Sequence, residues 1–402
     1  MKSESHSFLR PVEWLNFFLA DVQTGLGPFL AAYLASNHWQ PSSVGYLLTF
    51  GGLVGVAMQT PAGAIVDRTR HKRTLLVGAL CILVCGALLL LAHPFVALVY
   101  TAQFLISSTG PFLAPTVAAI TLGMVGAKAF NRQFGRNQAF NSAGNVFTAL
   151  LIAGTSYLFG YRSIFIIAAL MSVPAFFSIS RIDPAKIDFD RARGAEGGGK
   201  KAEVAGLGSL LHDRVLVTFL VTAFLFHLAN AAMLPQLGEM LSKGQVKLAA
   251  PFMSACIIVT QLVIAANAGW IGKFAGTHGR KPLLLIGFGV LPLRGVLYTF
   301  THFTPALIGI QILDGVANAI FGVVSILVIT DLTRGTGRFN LAAGALATMV
   351  GLGASFSTTI GGELIQHVSF NGSFLGLAAI AVLAVTLLAV GVPETLHGKK
   401  RT

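Results

Sequence analysis

Ionisable side chains are scarce in this sequence. Of 402 residues only 15 are Asp or Glu and 28 are Lys or Arg, so charged residues make up 11%, less than half the ~25% of an ordinary soluble domain. A chain of this length cannot cover itself with a water-facing surface from so few charges. That excludes a soluble enzyme, and the apolar content excludes a disordered chain. Cysteine is nearly absent as well. Cys81, Cys85 and Cys256 form no paired framework, and each sits in an apolar run, so each reads as a small buried hydrophobe. Metal-ligand spacing, a nucleophile arrangement and a Walker-type phosphate loop are all missing. We therefore expect no cofactor, no metal, no ATP drive and no enzymatic activity.

What the sequence does have is apolar length. Residues of the AVILMFWYC set make up 54%, with 30 Phe and 45 Gly. Glycine at this frequency fits packed membrane helices, where small residues let backbones approach. A helix needs about 20 apolar residues to cross the hydrocarbon. By that rule spans fall near 12–36, 43–66, 73–92, 95–124, 134–159 and 162–180, and again near 214–240, 247–272, 282–301, 304–330, 340–366 and 370–392. The fold class is all-α membrane protein: twelve transmembrane helices in two pseudo-symmetric six-helix bundles. Residues 1–180 and 213–402 form the bundles. The stretch 181–212, rich in charge and Gly and without apolar periodicity, is a linker. The polar start MKSESHSFLRP leads into a span with no small-residue cleavage site, so no cleavable signal is expected.

The net charge of +13 could point to nucleic acid, but its placement points elsewhere. With the N-terminus inside, 24 of the 28 basic residues fall on the cytoplasmic side, as the positive-inside rule requires. Arg162, Lys243 and Lys247 lie outside, and Arg294 lies within a span. The charge is a topology signal, and nucleic-acid binding has no support. Both termini and the linker are expected in the cytoplasm, with the chain in a bacterial inner (cytoplasmic) membrane.

The halves also echo each other. Pro28 and Pro235 lie 207 positions apart, Gln103 and Gln311 208, Gly63 and Gly272 209. Internal repeats of this kind build many transporter folds. After Gly63 the chain reads Ala-Ile-Val-Asp67-Arg68-Thr-Arg70-His-Lys72-Arg73, and the second copy ends Gly279-Arg280-Lys281. This pattern resembles the loop between helices 2 and 3 of the major facilitator superfamily, and the likeness covers essentially the whole chain. Arg70 and His71 replace a usual Gly and Arg, and the second copy has lost its acid. The resemblance implies alternating access and a gating role for this loop. Independently of it, Asp67 at a helix end can pair with neighbouring cations or helix N-termini in one state only, biasing a bistable motion.

Charge at membrane depth is costly and marks functional candidates. Asp21 lies 9 residues past the start of the first span, about 13 Å deep at 1.5 Å per residue, with no basic neighbour in sequence. It is the leading candidate for proton coupling. Asp314 lies at a level comparable with Arg294, so it is either paired or free. His227 is either a hydrogen-bonded core residue or a proton carrier. Glu239 and Glu363 are expected at a watery rim. Asn137, Asn141 and Asn145 form a stripe that either bonds a neighbouring helix or lines the cavity. The resemblance implies that helices 1, 4, 7 and 10 line a central cavity. Candidate cavity residues are Asp21, Gln23, Gln59, Gln103, Asn141, Asn145, His227, Asn230, Gln261 and Asn318.

Phe-rich spans with few cavity charges are similar to the drug-efflux branch, which implies proton antiport of a small amphipathic molecule by a monomer in the bilayer. The fifth span departs from that branch, reading AFNSAGNVFTALLIAG without a proline. The alternative is therefore a proton-coupled importer of a small metabolite or siderophore. The topology has a direct check. A cysteine placed at Gly198 in a cysteine-free background should resist membrane-impermeant labelling in intact cells, and its labelling would overturn the assigned orientation.

Overall fold

The computed structural model describes residues 8–24, 26–92, 94–192, 212–244, 246–334 and 339–396. Most of the expected linker, residues 193–211, lies outside them. The described residues contain helices and no strand. In chain order these are α1 Arg10–Thr24, α2 Leu26–Ser36, α3 Pro41–Arg68, α4 Lys72–Leu89, α5 Val96–Phe159, α6 Arg162–Arg181, α7 Phe189–Ala192, α8 Arg214–Asn230, α9 Met233–Gly244, α10 Val246–His278, α11 Lys281–Leu297, α12 Thr304–Leu332, α13 Phe339–His367 and α14 Phe370–Gly391.

Ten stretches of the described residues are long and apolar enough to cross a membrane. The two other expected spans fall short for identifiable reasons. The first is described as α1 and α2, of 15 and 11 residues on either side of residue 25, and α11 has 17 residues. The fourth and fifth spans are separate, Val96–Gly126 and Arg132–Phe159, and α5 carries both across a kink at Gly126, whose φ of 70° and ψ of 169° leave the helical region. Glycine takes that backbone conformation without a Cβ penalty.

Backbone contacts gather the chain into two compact units. One comprises Met1–His38, Phe50–Gly199 and Leu241–Ser254; the other comprises Trp39–Thr49, Lys200–Met240 and Ala255–Thr402. The first is centred on Leu15 and Leu19 of α1, Leu80 and Leu83 of α4, Leu113 and Ile120 of α5 and Ile179 of α6. The second is centred on Phe219 and Phe226 of α8, Phe288 of α11, Phe321 of α12 and Leu388 of α14. Large apolar side chains such as Phe159, Phe300 and Val390 face outward, as suits a lipid solvent. Because lipid is as apolar as these cores, cohesion rests on close packing and interhelical hydrogen bonds more than on exclusion from water.

The repeat seen in the sequence has a structural counterpart. A Cβ built on Gly144 of α5 would collide with the Phe17 carbonyl oxygen of α1, and one built on Gly353 of α13 would collide with the Phe224 carbonyl oxygen of α8. Phe17 and Phe224 are 207 positions apart, Gly144 and Gly353 209. In the second half α8 gives way to α9 ahead of Pro235. There the Ala232 amide donates to Ser357 Oγ at 2.9 Å, satisfying a backbone group that the helix cannot.

These glycine contacts are testable. Gly144→Val and Gly353→Val should each lose about 1–3 kcal/mol through overpacking. Gly154→Val on α5, where a Cβ meets nothing within 4 Å, should change little. Thermal unfolding in detergent micelles measures all three, and equal losses would refute the repeated contact.

Candidate functional site

The most extensive polar network of the second unit is built on four helices. Arg294 of α11 and Tyr298, which caps its C-terminal end four residues on, share one face, and Gln311, Asp314 and Asn318 share another on α12. Arg294 Nη1 pairs with Asp314 Oδ1 at 2.5 Å and also donates to Asn230 Oδ1 of α8. Its Nε donates to Tyr298 Oη at 3.0 Å, and that hydroxyl donates to Gln311 Oε1 at 2.6 Å. The second Asp314 oxygen accepts from Gln311 Nε2 at 3.1 Å and from Thr260 Oγ1 of α10 at 3.2 Å. Asn318 Nδ2 closes the turn on the Asp314 carbonyl at 2.9 Å. Arg294 is 1% exposed and Asp314 8%. The alternative left open by the sequence is thus decided for this structure: Asp314 is paired. Gly315 permits the approach, since a Cβ there would crowd Val263 and the Thr260 carbonyl.

A second network lies in the first unit. Glu13 of α1, 3% exposed, pairs with Arg136 Nε at 2.9 Å and accepts from Gln133 Nε2 at 3.0 Å. Gln133 also donates to Asn137 Oδ1 at 3.1 Å, and Asn137 Nδ2 to Thr121 Oγ1 at 2.9 Å. Asn141 Nδ2 reaches the Asn16 carbonyl at 3.4 Å, and Asn145 Nδ2 reaches Asn141 Oδ1 at 3.4 Å. The asparagine stripe therefore bonds to its neighbours on α1 and within α5. Glu13, Gln133, Thr121, Thr260 and Tyr298 were not singled out from the sequence.

The remaining candidates are dispersed. Gln103 of α5 donates to Ser107 Oγ at 3.3 Å and fills the space left by Gly51 of α3. Gln59 is exposed and Gln261 half-buried. The His227 ring stands edge-on to Phe321, centroids 4.8 Å apart. Its Nε2 is buried with no hydrogen-bond partner among the described residues. Asp21 and Gln23 lie in the last turn of α1, and their side chains fall outside the description. Three expectations need correction. Glu239, expected at a rim, is 4% exposed, because α9 turns it into the protein. Cys81 and Cys85, expected inside, lie on the exposed side of α4, whereas Cys256 is buried.

The two basic loops differ. In the first, Gly63 has open space around it, and Asp67 and Arg68 are exposed at the end of α3. Arg70 lies over the Phe189 ring at 5.1 Å, Lys72 Nζ donates to the Val66 carbonyl at 2.7 Å, and Arg73 donates to the Ser180 carbonyl at 3.0 Å. In the second, Gly279 takes φ 108°, a turn that suits glycine. Arg280 Nε pairs with Asp331 at 3.0 Å, and Lys281 Nζ donates to the Ala389 carbonyl at 2.6 Å. The backbone amides of Arg280 and Lys281 donate to Glu394 at 2.8 and 3.0 Å. The acid missing from this copy is supplied in space by Asp331 and Glu394. Burial pushes the Glu394 carboxyl up, but amide donors from Arg280, Leu396, Lys281 and Thr395 outweigh it and hold its pKa below the ordinary carboxylate value.

Removing one partner of a buried ion pair strands the other charge. Arg294→Ala should therefore destabilise by about 3–5 kcal/mol, whereas Arg294→Met with Asp314→Leu should recover most of that loss. Thermal unfolding of the two variants decides, and a double variant no more stable than the single one would refute the account.

Comparison with known proteins accords with this architecture. A model of the Major Facilitator Superfamily matches residues 14–273 and 260–402. An uncharacterised MFS-type transporter of Mycobacterium tuberculosis is 39% identical over 398 residues, 98% of this chain and 94% of that protein. The multidrug resistance protein MdtG of Dickeya zeae is 27% identical over 174 residues, 41% of this chain and 42% of its own. Among solved structures, the nucleoside transporter NupG superposes with a TM-score of 0.75 at 15% identity, covering 95% of this chain and 98% of that one. A POT family transporter in complex with a thioalcohol-conjugated peptide gives 0.76 at 11% identity, covering 95% of each. Identities this low speak for the fold alone. With the family model spanning the chain and a near full-length MFS-type relative, this all-α membrane protein belongs to the Major Facilitator Superfamily and is a membrane transporter of small molecules.

Proposed function

We propose that the protein is a proton-coupled secondary transporter that moves a small amphipathic organic molecule across the inner membrane by alternating access, in the direction of efflux by antiport. Residues 1–180 and 213–402 are the moving bundles, tethered by a cytoplasmic linker at 181–212, with both termini in the cytoplasm and the monomer as the working unit. The basic loops around Asp67 and Arg280 bias the two states. The similarity to a multidrug resistance protein supports the substrate class and the direction. The fifth span's lack of proline favours the second reading, a proton-coupled importer of a small metabolite or siderophore.

The observation that carries the coupling assignment is the position of Asp21. It lies within α1 in the first span, well past the start of that span, and an ionisable group at membrane depth marks a functional site. Glu13 and Asp314 are each held by an arginine, which suits them to fixed structural roles. Asp21 has no basic neighbour in sequence, which suits it to gain and lose a proton within the cycle. Gln23, Gln59, Gln103, Asn141, Asn145, Asn230, Gln261 and Asn318 supply neutral polar contacts to the cargo. His227 stands next in line as a proton carrier, whereas Asp314, the other candidate from the sequence, is held by Arg294.

In proteoliposomes with an imposed pH gradient and a substrate panel, Asp21→Asn should retain binding of an uncharged substrate while losing gradient-driven movement. A cationic substrate paired with Asp21 should instead bind more weakly, by roughly 1.5–3 kcal/mol. A variant that still pumps uphill with unaltered pH dependence would sink the assignment.

A further inference from the structure

A groove of about 550 Å³ lies in the first unit between the start of α1 and the end of α6. Its mouth is cationic: Arg10, Arg181 and Lys186 all line it, against the single acid Asp183. That acid is already engaged, its carboxylate accepting the Ala185 amide at 3.0 Å to cap the short turn Pro184–Lys186. None of the three cations forms an ion pair among the described residues. Two of them are set against aromatic rings. The Arg181 guanidinium lies 4.6 Å from the Phe177 centroid and Lys186 Nζ lies 5.2 Å from that of Phe8. Such contacts leave the outward N–H donors free for another anion.

Away from the mouth the groove becomes apolar. Trp14, Phe18, Pro174 and Phe177 form its walls, and Trp14 and Phe177 are 45% and 59% exposed. Along α1, Phe18 is eight residues beyond Arg10, and along α6, Pro174 is seven residues before Arg181. At 1.5 Å per residue both walls therefore run roughly 10–12 Å from the charged helix ends toward the membrane interior. Charge at one end and aromatic surface along the depth is the complement of an amphiphile standing upright in a leaflet. Anchoring aromatics and positive-inside charges account for such residues one at a time. They do not account for three cations and four apolar walls sharing one concave surface.

We propose that this groove is a binding site for an anionic phospholipid of the leaflet at the basic helix ends. The lipid's phosphate sits among Arg10, Arg181 and Lys186, and an acyl chain lies along Trp14, Phe18 and Phe177. Basic pockets between membrane helices hold acidic headgroups on this electrostatic logic. The site rests on membrane insertion alone and is independent of the cargo, the coupling ion and the direction of transport.

Trp14 itself can report occupancy. With Trp39→Phe and Trp270→Phe it becomes the sole tryptophan, and the full chain can be reconstituted in phosphatidylcholine vesicles containing equal mole fractions of brominated phosphatidylglycerol or brominated phosphatidylcholine. The brominated phosphatidylglycerol should quench Trp14 more strongly, and raised salt should shrink the difference. Each of Arg10→Gln, Arg181→Gln and Lys186→Gln should lower the preference about fivefold, the equivalent of ~1 kcal/mol per basic residue. Equal quenching by the two lipids would overturn the proposal without recourse to the charge variants. So would shielding from both, which means that protein fills the groove, or a preference that survives removal of all three cations.

Discussion

Hydrocarbon offers no hydrogen bonds, so an arginine enclosed at membrane depth must find every partner within the protein. Arg294 does so. One nitrogen serves Asp314 and Asn230, another serves Tyr298, and the far oxygen of Asp314 is taken up by Gln311 and Thr260. Meeting those demands fixes the rotation of α8, α10, α11 and α12 about their own axes. It also requires the small residue Gly315, which lets α12 approach α10. Packing alone would leave such helices free to slip, because lipid competes equally well for apolar surface.

The two halves share a backbone plan but not this chemistry. Gln103 and Gln311 stand at equivalent points, yet the positions matching Arg294, Tyr298 and Asp314 at offsets of 208–209 are Cys85, Leu89 and Ile106. Thr260 corresponds to Gly51, and there the Gln103 side chain fills the space beside the glycine. The first unit places its ion pair instead near the start of α1, where Glu13 holds Arg136. One half is pinned near the middle of its helices and the other toward one end. This difference leaves the first helix as the place where an acid, Asp21, lies in a span without a basic neighbour in sequence.

Most of the fold was legible in the sequence because it depends on counting. Apolar length gave the spans, and offsets of 207–209 gave the repeat, which the paired contacts Gly144–Phe17 and Gly353–Phe224 bear out. What escaped depends on rotation and long-range proximity. Arg294 and Asp314 could be set at one level, but whether they faced each other required the phase of two helices. Asp331 and Glu394 complete the second basic loop from 51 and 114 positions beyond Arg280, separations that no local motif reveals. Glu13 was passed over because it lies at the edge of its span, where acids are ordinarily solvated. The direct meeting of the fourth and fifth helices at the Gly126 kink was hidden by basic and polar residues nearby that read as a loop.

The central claim is a division of labour between two membrane-embedded carboxylates, with Asp314 fixed in an ion pair and Asp21 proposed to exchange a proton. Isotope-edited infrared spectroscopy of aspartate-labelled protein in lipid, titrated from about pH 5 to 9, reads the protonation of such groups directly. The account predicts a protonated aspartate band that titrates in this range and is absent from Asp21→Asn. A titrating band that persists in Asp21→Asn and disappears when Arg294 and Asp314 are replaced by Met and Leu would contradict it.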